Sequence, residues 1–269
     1  MIYKKQIDIS TLNAPLEFNI YGRQPILEAL RYGDSVKKIW LASDLSGKPV
    51  RQIQNLAENK KIPLFTISKN DIQKYVGAVV HQGIAAQISF NPFVTEADLE
   101  TFLQSKNNPL IVILDQVQDP HNLGAIIRTC EITGVDLIVL TAKGSAPINA
   151  TVAKTSAGAL FGVKLHQTEN PLAVIDLFKR TGIQTFAATT HAEFNIYDAD
   201  FKRAIALIIG SEGIGVRKNL LSYCDLKVTI PQIGKINSLN ASVSASVILY
   251  EALRQRFYSN IRNKTAGNE

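Results

Sequence analysis

Cysteine is scarce in this chain. Cys130 and Cys224 are far apart and belong to no CxxC or histidine-ligand spacing, so a disulfide scaffold and a thiolate zinc site are poor expectations. Two reduced, buried thiols in a cytoplasmic protein are expected instead. The four histidines, His81, His121, His166 and His191, form no ligand pattern either, and no metal is expected. Long hydrophobic runs are missing: no segment has the ~20 apolar residues that span a bilayer. The opening MIYKKQIDIS has no apolar signal core, which points to a cytosolic protein without a membrane partner. Acidic residues are outnumbered, 23 against 29 Lys and Arg, for a net charge of +6. That excess fits a nucleic-acid partner, although many basic proteins bind none.

What is present is a well-cored chain of 269 residues, 46% apolar and 19% charged, long enough for two domains or one large one. Residues 1–17 show no periodicity and read as an arm. From Phe18, YGRQPILEALRYG reads as a helix with Ile26, Leu27 and Leu30 on one face, followed by the strand KKIWLAS. VRQIQNLAENKKI is an amphipathic helix with Ile53, Leu56 and Ala57 inward, and LFTIS and GIAAQIS are short strands. This makes an α/β unit over 18–90. NPFVTEADLETFLQSKNNP opens on Asn-Pro and closes on Asn-Asn-Pro, so 91–108 reads as a linker carrying a short polar helix. Beyond it LIVILDQV, DLIVLTA, QTFAATT and AIALIIGSE are near-continuous apolar runs. Strands covered on both faces look like this. Between them stand the helices HNLGAIIRTCEITG, INATVAKTSAGALFG, NPLAVIDLFKRTG and VRKNLLSYC. The alternation predicts a parallel α/β domain over 109–262, with 263–269 a frayed tail.

Ligands of open α/β sheets bind beyond the carboxyl ends of the strands, and three such ends here are polar. After LIVILD comes a turn with Asp119, Pro120 and Asn122, then a helix holding Arg128. Asn122 could simply cap that helix and Arg128 could snorkel to the surface; equally, an arginine among Ile126, Ile127 and Cys130 could be paired. The second end, LIIGSEGIGVRKNL, puts Gly210, Ser211, Glu212, Gly213 and Gly215 at a strand-to-helix turn, where backbone can approach a ligand. No Lys-Ser/Thr follows, so it is not a P-loop, and G-x-G-x-x-G is missing, which leaves a dinucleotide-dependent oxidoreductase poorly supported. Glu212 would repel a pyrophosphate and suits a hydroxyl, an amine or a cation. The third end, IPQIGKINSLNASVSAS at 230–246, leaves its strand through Pro231, which has no amide for the ladder. Asn240 reads as a helix cap, but Ser242, Ser244 and Ser246 stand where helix formers would be expected. Small residues there admit another backbone or a flat ligand.

Together, N122-LGAIIR128, IIGSEGIG at 208–215 and IP…SLNASVSAS at 230–246 resemble the motifs of the SpoU (TrmH-like) RNA ribose 2′-O-methyltransferases of the SPOUT superfamily. FNIYGRQPILEAL and VVHQGIAAQ are similar to the small L30e-like substrate-binding domain of the branch that acts on a guanosine of 23S rRNA. The resemblance covers about 18–262 and departs from the family at Gln232, where Met is frequent. It implies a catalytic α/β domain with a parallel sheet and a deep trefoil knot, a rare exception to unthreaded topology. It implies S-adenosyl-L-methionine as cofactor, held at Gly210, Ile230 and Leu239 and by extension at Thr189, Ser211, Gln232 and Asn240. It also implies a homodimer in which the partner completes the site.

By the same resemblance Arg128 is the principal catalytic residue. A guanidinium stays protonated in proteins, so its expected work is to grip a phosphate and stabilise the alkoxide. Asn122 is expected to orient Arg128 or the ribose, Glu212 to fix Arg128 or accept a hydrogen bond, and Ser238 and Asn240 to position ribose and cofactor. Rival readings are the same chemistry on tRNA, and a noncatalytic RNA-binding or ribosome-assembly protein with this fold.

Overall fold

The computed structural model describes residues 14–235 and 238–266, with backbone alone for 258–266; most of the expected arm lies outside them. The chain divides into two compact units. One holds the chain up to Phe93 together with Pro147–Gly162, the other Val94–Ala146 and the chain from Val163 onward.

The first unit runs β1 (Leu16–Tyr21), α1 (Arg23–Arg31), β2 (Val36–Ala42), α2 (Lys48–Asn59), β3 (Leu64–Ile67), α3 (Lys69–Val76) and β4 (Ile84–Phe90). Its sheet is ordered β1-β4-β2-β3; β4 is antiparallel to β1 and β2, and β3 is parallel to β2. Two elements were not legible as written. β1 buries one residue fully, Ile20, so its apolar signal is weak. α3 buries Ile72 alone, and starts because Ser68 accepts the Asp71 amide at 3.1 Å, a side-chain N-cap. On α2 the inward residues are Val50, Ile53 and Ala57, with Leu56 half-buried.

The second unit runs α4 (Glu96–Gln104), β5 (Leu110–Asp115), α5 (Pro120–Ile132), β6 (Leu137–Thr141), then α6 (Ala150–Thr155) of the first unit, and back to β7 (Leu165–Thr168), α7 (Pro171–Arg180), β8 (Gln184–Ala188), β9 (Phe194–Asn195), β10 (Ile205–Gly210), α8 (Lys218–Tyr223), β11 (Leu226–Thr229) and α9 (Ala241–Ala266). Its seven strands are ordered β7-β6-β5-β10-β8-β11-β9, and each pair is parallel. Every residue of β5 and β6 is buried, which is why those strands read as unbroken apolar runs.

Three expected boundaries differ. The 91–108 segment is no free linker: α4 sends Leu99 and Leu103 into the core beside Ile175 and Phe178, and Thr95 caps it. Residues 147–162, expected inside 109–262, pack with the first unit. There α6 lies against β1 and the Phe161 ring sits 4.9 Å from that of Phe90. The apolar pattern of a helix shows that it is buried, not against which sheet. Finally, α9 is helical through Ala266, past the expected start of the tail. Its Arg256 donates to the carbonyls of Phe201 and Asn108, each at 2.8 Å, tying the helix to distant loops.

The β10–α8 turn is built on close approach and one ion pair. A Cβ on Gly210 would overlap the Gly215 carbonyl carbon and the Val216 amide, so only glycine lets the turn fold back there. Gly215, at φ 69°, donates its amide to the Ser211 carbonyl at 2.9 Å. The turn is anchored by Asp115, fully buried at the end of β5. It accepts the Arg217 amide at 2.9 Å and Nε at 2.8 Å, with Nη2 at 2.7 Å. Of the two cysteines, Cys130 is buried, with burial raising its thiol pKa, and burial pushes the half-buried Cys224 thiol up to about 12; neither is a ready nucleophile.

Removing the Asp115 carboxylate strands a partly buried guanidinium and frees the turn. Asp115→Ala should lower unfolding free energy by about 2–4 kcal/mol, towards the lower end for a broken buried pair because Arg217 keeps some water contact. Urea denaturation checks this; an unchanged midpoint and slope would contradict the anchoring role.

Candidate active site

Three loops at the carboxyl ends of β5, β10 and β11 meet at one carboxylate. Asn122, in the first turn of α5, donates Nδ2 to Glu212 Oε1 at 2.9 Å. Asn240 donates Nδ2 to the same Glu212 oxygen and, at 3.0 Å, to Asn122 Oδ1. The residues joined are 90 and 118 positions apart in the chain. Asn122 is buried, whereas Glu212 and Asn240 are exposed. The carboxylate is thus positioned by two neutral amides.

Asn240 also explains the start of α9. Its Oδ1 accepts the amides of Ser242 at 2.8 Å and Val243 at 3.3 Å, the geometry of an N-cap. The serines that looked out of place have separate uses. Ser242 donates its hydroxyl to Asn240 Oδ1 at 2.6 Å. Ser246 Oγ lies 3.0 Å from Thr129 Oγ1 and donates to the Ser242 carbonyl at 2.8 Å, so it joins α9 to α5. Ser244 faces a cavity.

That cavity, of about 410 Å³, opens beside the network. Its walls include all seven residues expected to hold a cofactor: Thr189, Gly210, Ser211, Ile230, Gln232, Leu239 and Asn240. Glu212 and Ser238 line it too. Apolar surface comes from Val216, Ile230, Leu239 and Ile248, hydroxyls from Thr189, Thr190, Ser211 and Ser244. The size is that of a small-molecule site. The turn that Gly210 permits forms one wall, and Val216, next to the Asp115-bound Arg217, forms part of it.

Arg128 and Asn122 do not line the cavity. On α5, residues 122, 123, 126, 127 and 130 are buried and Arg128 is exposed. Among the described residues Arg128 makes no hydrogen bond or ion pair, so it is not paired with Asn122 or Glu212 in this chain; both ends of the Asn122 amide are used elsewhere. Nor does Asn122 cap α5. Asp119 does, accepting the His121 amide at 3.0 Å, with Pro120 in the first turn. Sequence reasoning missed the Asp115–Arg217 anchor, though an aspartate closing an apolar strand was a signal that a cation was required. Among the described residues no group of three His, Cys, Asp or Glu side chains is placed to hold a metal, and no helix is long and apolar enough to cross a membrane.

Residues 109–250 match the SpoU rRNA Methylase family, and 19–94 match the RNA 2′-O ribose methyltransferase substrate-binding family. A Staphylococcus haemolyticus protein named for the TrmH family of tRNA/rRNA methyltransferases is 34% identical over 241 residues, 88% of this chain and 95% of its own. The SpoU methyltransferase AviRb of Streptomyces viridochromogenes superposes with a TM-score of 0.76 at 25% identity, covering 90% of this chain and 91% of that one. Its complex with the cofactor AdoMet (S-adenosylmethionine) gives 0.74 at 24%. The A. aeolicus TrmH/SpoU tRNA modifying enzyme matches at 34% identity and a TM-score of 0.53, covering 61% of this chain and 83% of its own. Motif segments that converge on one cavity, and a family match spanning more than half of the sequence, agree: the chain belongs to the SpoU rRNA methylase family.

Proposed function

We propose that this protein transfers a methyl group from S-adenosyl-L-methionine to a ribose 2′-hydroxyl of structured RNA, a guanosine of 23S rRNA being the preferred target. The observation that carries the reading is the Asn122–Glu212–Asn240 network beside the 410 Å³ cavity. The wall chemistry fits the cofactor: apolar faces for a purine, hydroxyls for polar edges, and a carboxylate for a ligand carrying positive charge and hydroxyl groups. AviRb, of the same fold, binds AdoMet. A bound cofactor supplies an electrophilic methyl on a sulfonium; the chain must do the rest. Glu212, Ser238 and Asn240 would position ribose and cofactor, with Asn122 acting through Glu212 and Asn240. Arg128 would bind the neighbouring phosphate and stabilise the developing alkoxide, since it cannot accept the proton. The rRNA preference rests on the family matched over 109–250 and on the substrate-binding match over 19–94; the match to the tRNA enzyme spans 61% of the chain.

Arg128 can reach such a site if a second protomer supplies it, and the surface supports a homodimer. Val243, Tyr250 and Phe257 repeat every seven residues on α9 and are all exposed, as is Ile132 of α5, one turn from Arg128. α5 and α9 are joined through Thr129 and Ser246, so these residues belong to one two-helix surface. Apolar residues repeating on an exposed helix face mark an interface. Arg128 lies beside it.

Labelled S-adenosylmethionine with unmodified 23S rRNA and tRNA transcripts, followed by mapping of ribose methylation, tests the reaction. Label in a 2′-O-methyl group of the ribosomal transcript is expected; transfer to a base, or to neither RNA, would refute it. Arg128→Ala should keep cofactor affinity by calorimetry while methyl transfer falls about 10²–10³-fold, as for loss of one transition-state donor; parental rates would remove Arg128 from the mechanism. Tyr250→Glu should sediment as a monomer and lose methyl transfer. A monomeric variant with full activity would show that each protomer is complete by itself.

A further inference from the structure

The first unit has a cavity of its own, about 360 Å³, lined by Arg23, Asp44, Leu45, Lys69, Gln82 and Gly83. Arg23 opens α1 and its backbone amide donates to Gln82 Oε1 at 3.1 Å. Its guanidinium is poorly provided for: Nε is shut off from water and has no hydrogen-bond partner. Against Gly22, the residue before Arg23, α6 brings a second cation. A Cβ on Gly22 would overlap Lys154 Nζ and would lie 3.2 Å from Gln82 Oε1. Among the described residues Lys154 has no hydrogen bond or ion pair, and its one polar contact is the face of Tyr21 at 5.9 Å. Burial holds its ammonium below the ordinary lysine range. Lys69, first residue of α3, adds an exposed third charge. Asp44, exposed, is the one carboxylate on the wall and pairs with none of them.

Cations withdrawn from water without a counter-charge cost stability. Arg23 and Lys154 are of this kind, both near Gln82, and the exposed Lys69 lies on the cavity wall with Arg23; an anionic ligand would supply the missing counter-charge. A guanidinium fork suits the paired oxygens of a phosphate, while Asp44 and Gln82 can accept hydrogen bonds from a ribose hydroxyl or a base amine. We infer that Arg23, Lys69 and Lys154 form a phosphate-contact site for the RNA backbone. This inference rests on the RNA reading above and specifies where the first unit grips its substrate. Lys154 comes from outside the 19–94 substrate-binding match, so the inserted 147–162 segment takes part in that grip.

The test uses the full chain and an unmodified 23S rRNA transcript in a salt titration of binding. Lys154→Met and Lys69→Ala should each weaken binding about tenfold and lower the slope of log K against log salt by about one. S-adenosylmethionine affinity should stay at the parental value. Lys154→Met should also keep or raise Tm, because an uncompensated cation is removed, and a purely structural lysine would show the reverse. Parental binding and slope in both variants would overturn the phosphate site and leave the RNA reading intact. A parent protein that binds neither 23S rRNA nor tRNA would overturn both.

Discussion

A carboxylate held by two amides is the interaction on which the second unit's arrangement depends. Glu212 sits on an exposed turn and would be one more solvated surface acid, except that Asn122 and Asn240 both direct Nδ2 at its Oε1. Neutral donors fix the position of a carboxylate without cancelling its charge. Because the amides also bond one another, the three side chains close a ring, and such networks are worth more than their separate pairs. The ring joins the first turn of α5, the β10–α8 turn and the cap of α9, and those last two form much of the cavity wall.

Two acids at neighbouring strand ends have opposite fates, and the contrast shows how the sheet divides its labour. Asp115, at the end of β5, is fully buried and its charge is met by Arg217. Glu212, two residues beyond the end of β10, is exposed and among the described residues meets no cation. β5 and β10 are adjacent and parallel, so the two carboxylates arise on the same edge. The first fixes the turn; the second is left to face whatever enters. Gly210 makes both possible by letting residues 211–217 fold back over the strand end.

Much of this was legible in the chain. Apolar runs such as LIVILD announced strands covered on both faces, and polar crowding at Asn122, Glu212 and Asn240 marked where the strand ends would converge. Seven residues named for the cofactor do surround one cavity. Tertiary choices were less legible. Nothing in INATVAKTSAGALFG says that it packs on β1, because its apolar positions would suit either sheet. The helix α4 reads as part of a linker because it is short, rich in polar residues and stands between two Asn-Pro signals, although Leu99 and Leu103 are buried. β1, β7, β9 and α3 are short or mostly polar, and their periodicity is too weak to stand out. The sequence leaves Arg128 open between a surface position and a pairing for a related reason: its neighbours Ile126, Ile127 and Cys130 are buried, and sequence adjacency on a helix says little about which side a residue occupies.

The central claim is that Asn122 and Asn240 act as one unit through Glu212 in shaping the cavity proposed to hold the cofactor. A double-mutant cycle of Asn122→Ala and Asn240→Ala, read as S-adenosylmethionine dissociation constants by calorimetry, tests it most directly. The account predicts that each single change weakens binding and that the double variant is little worse than either. Strictly multiplicative losses, or parental affinity in all three variants, would contradict it.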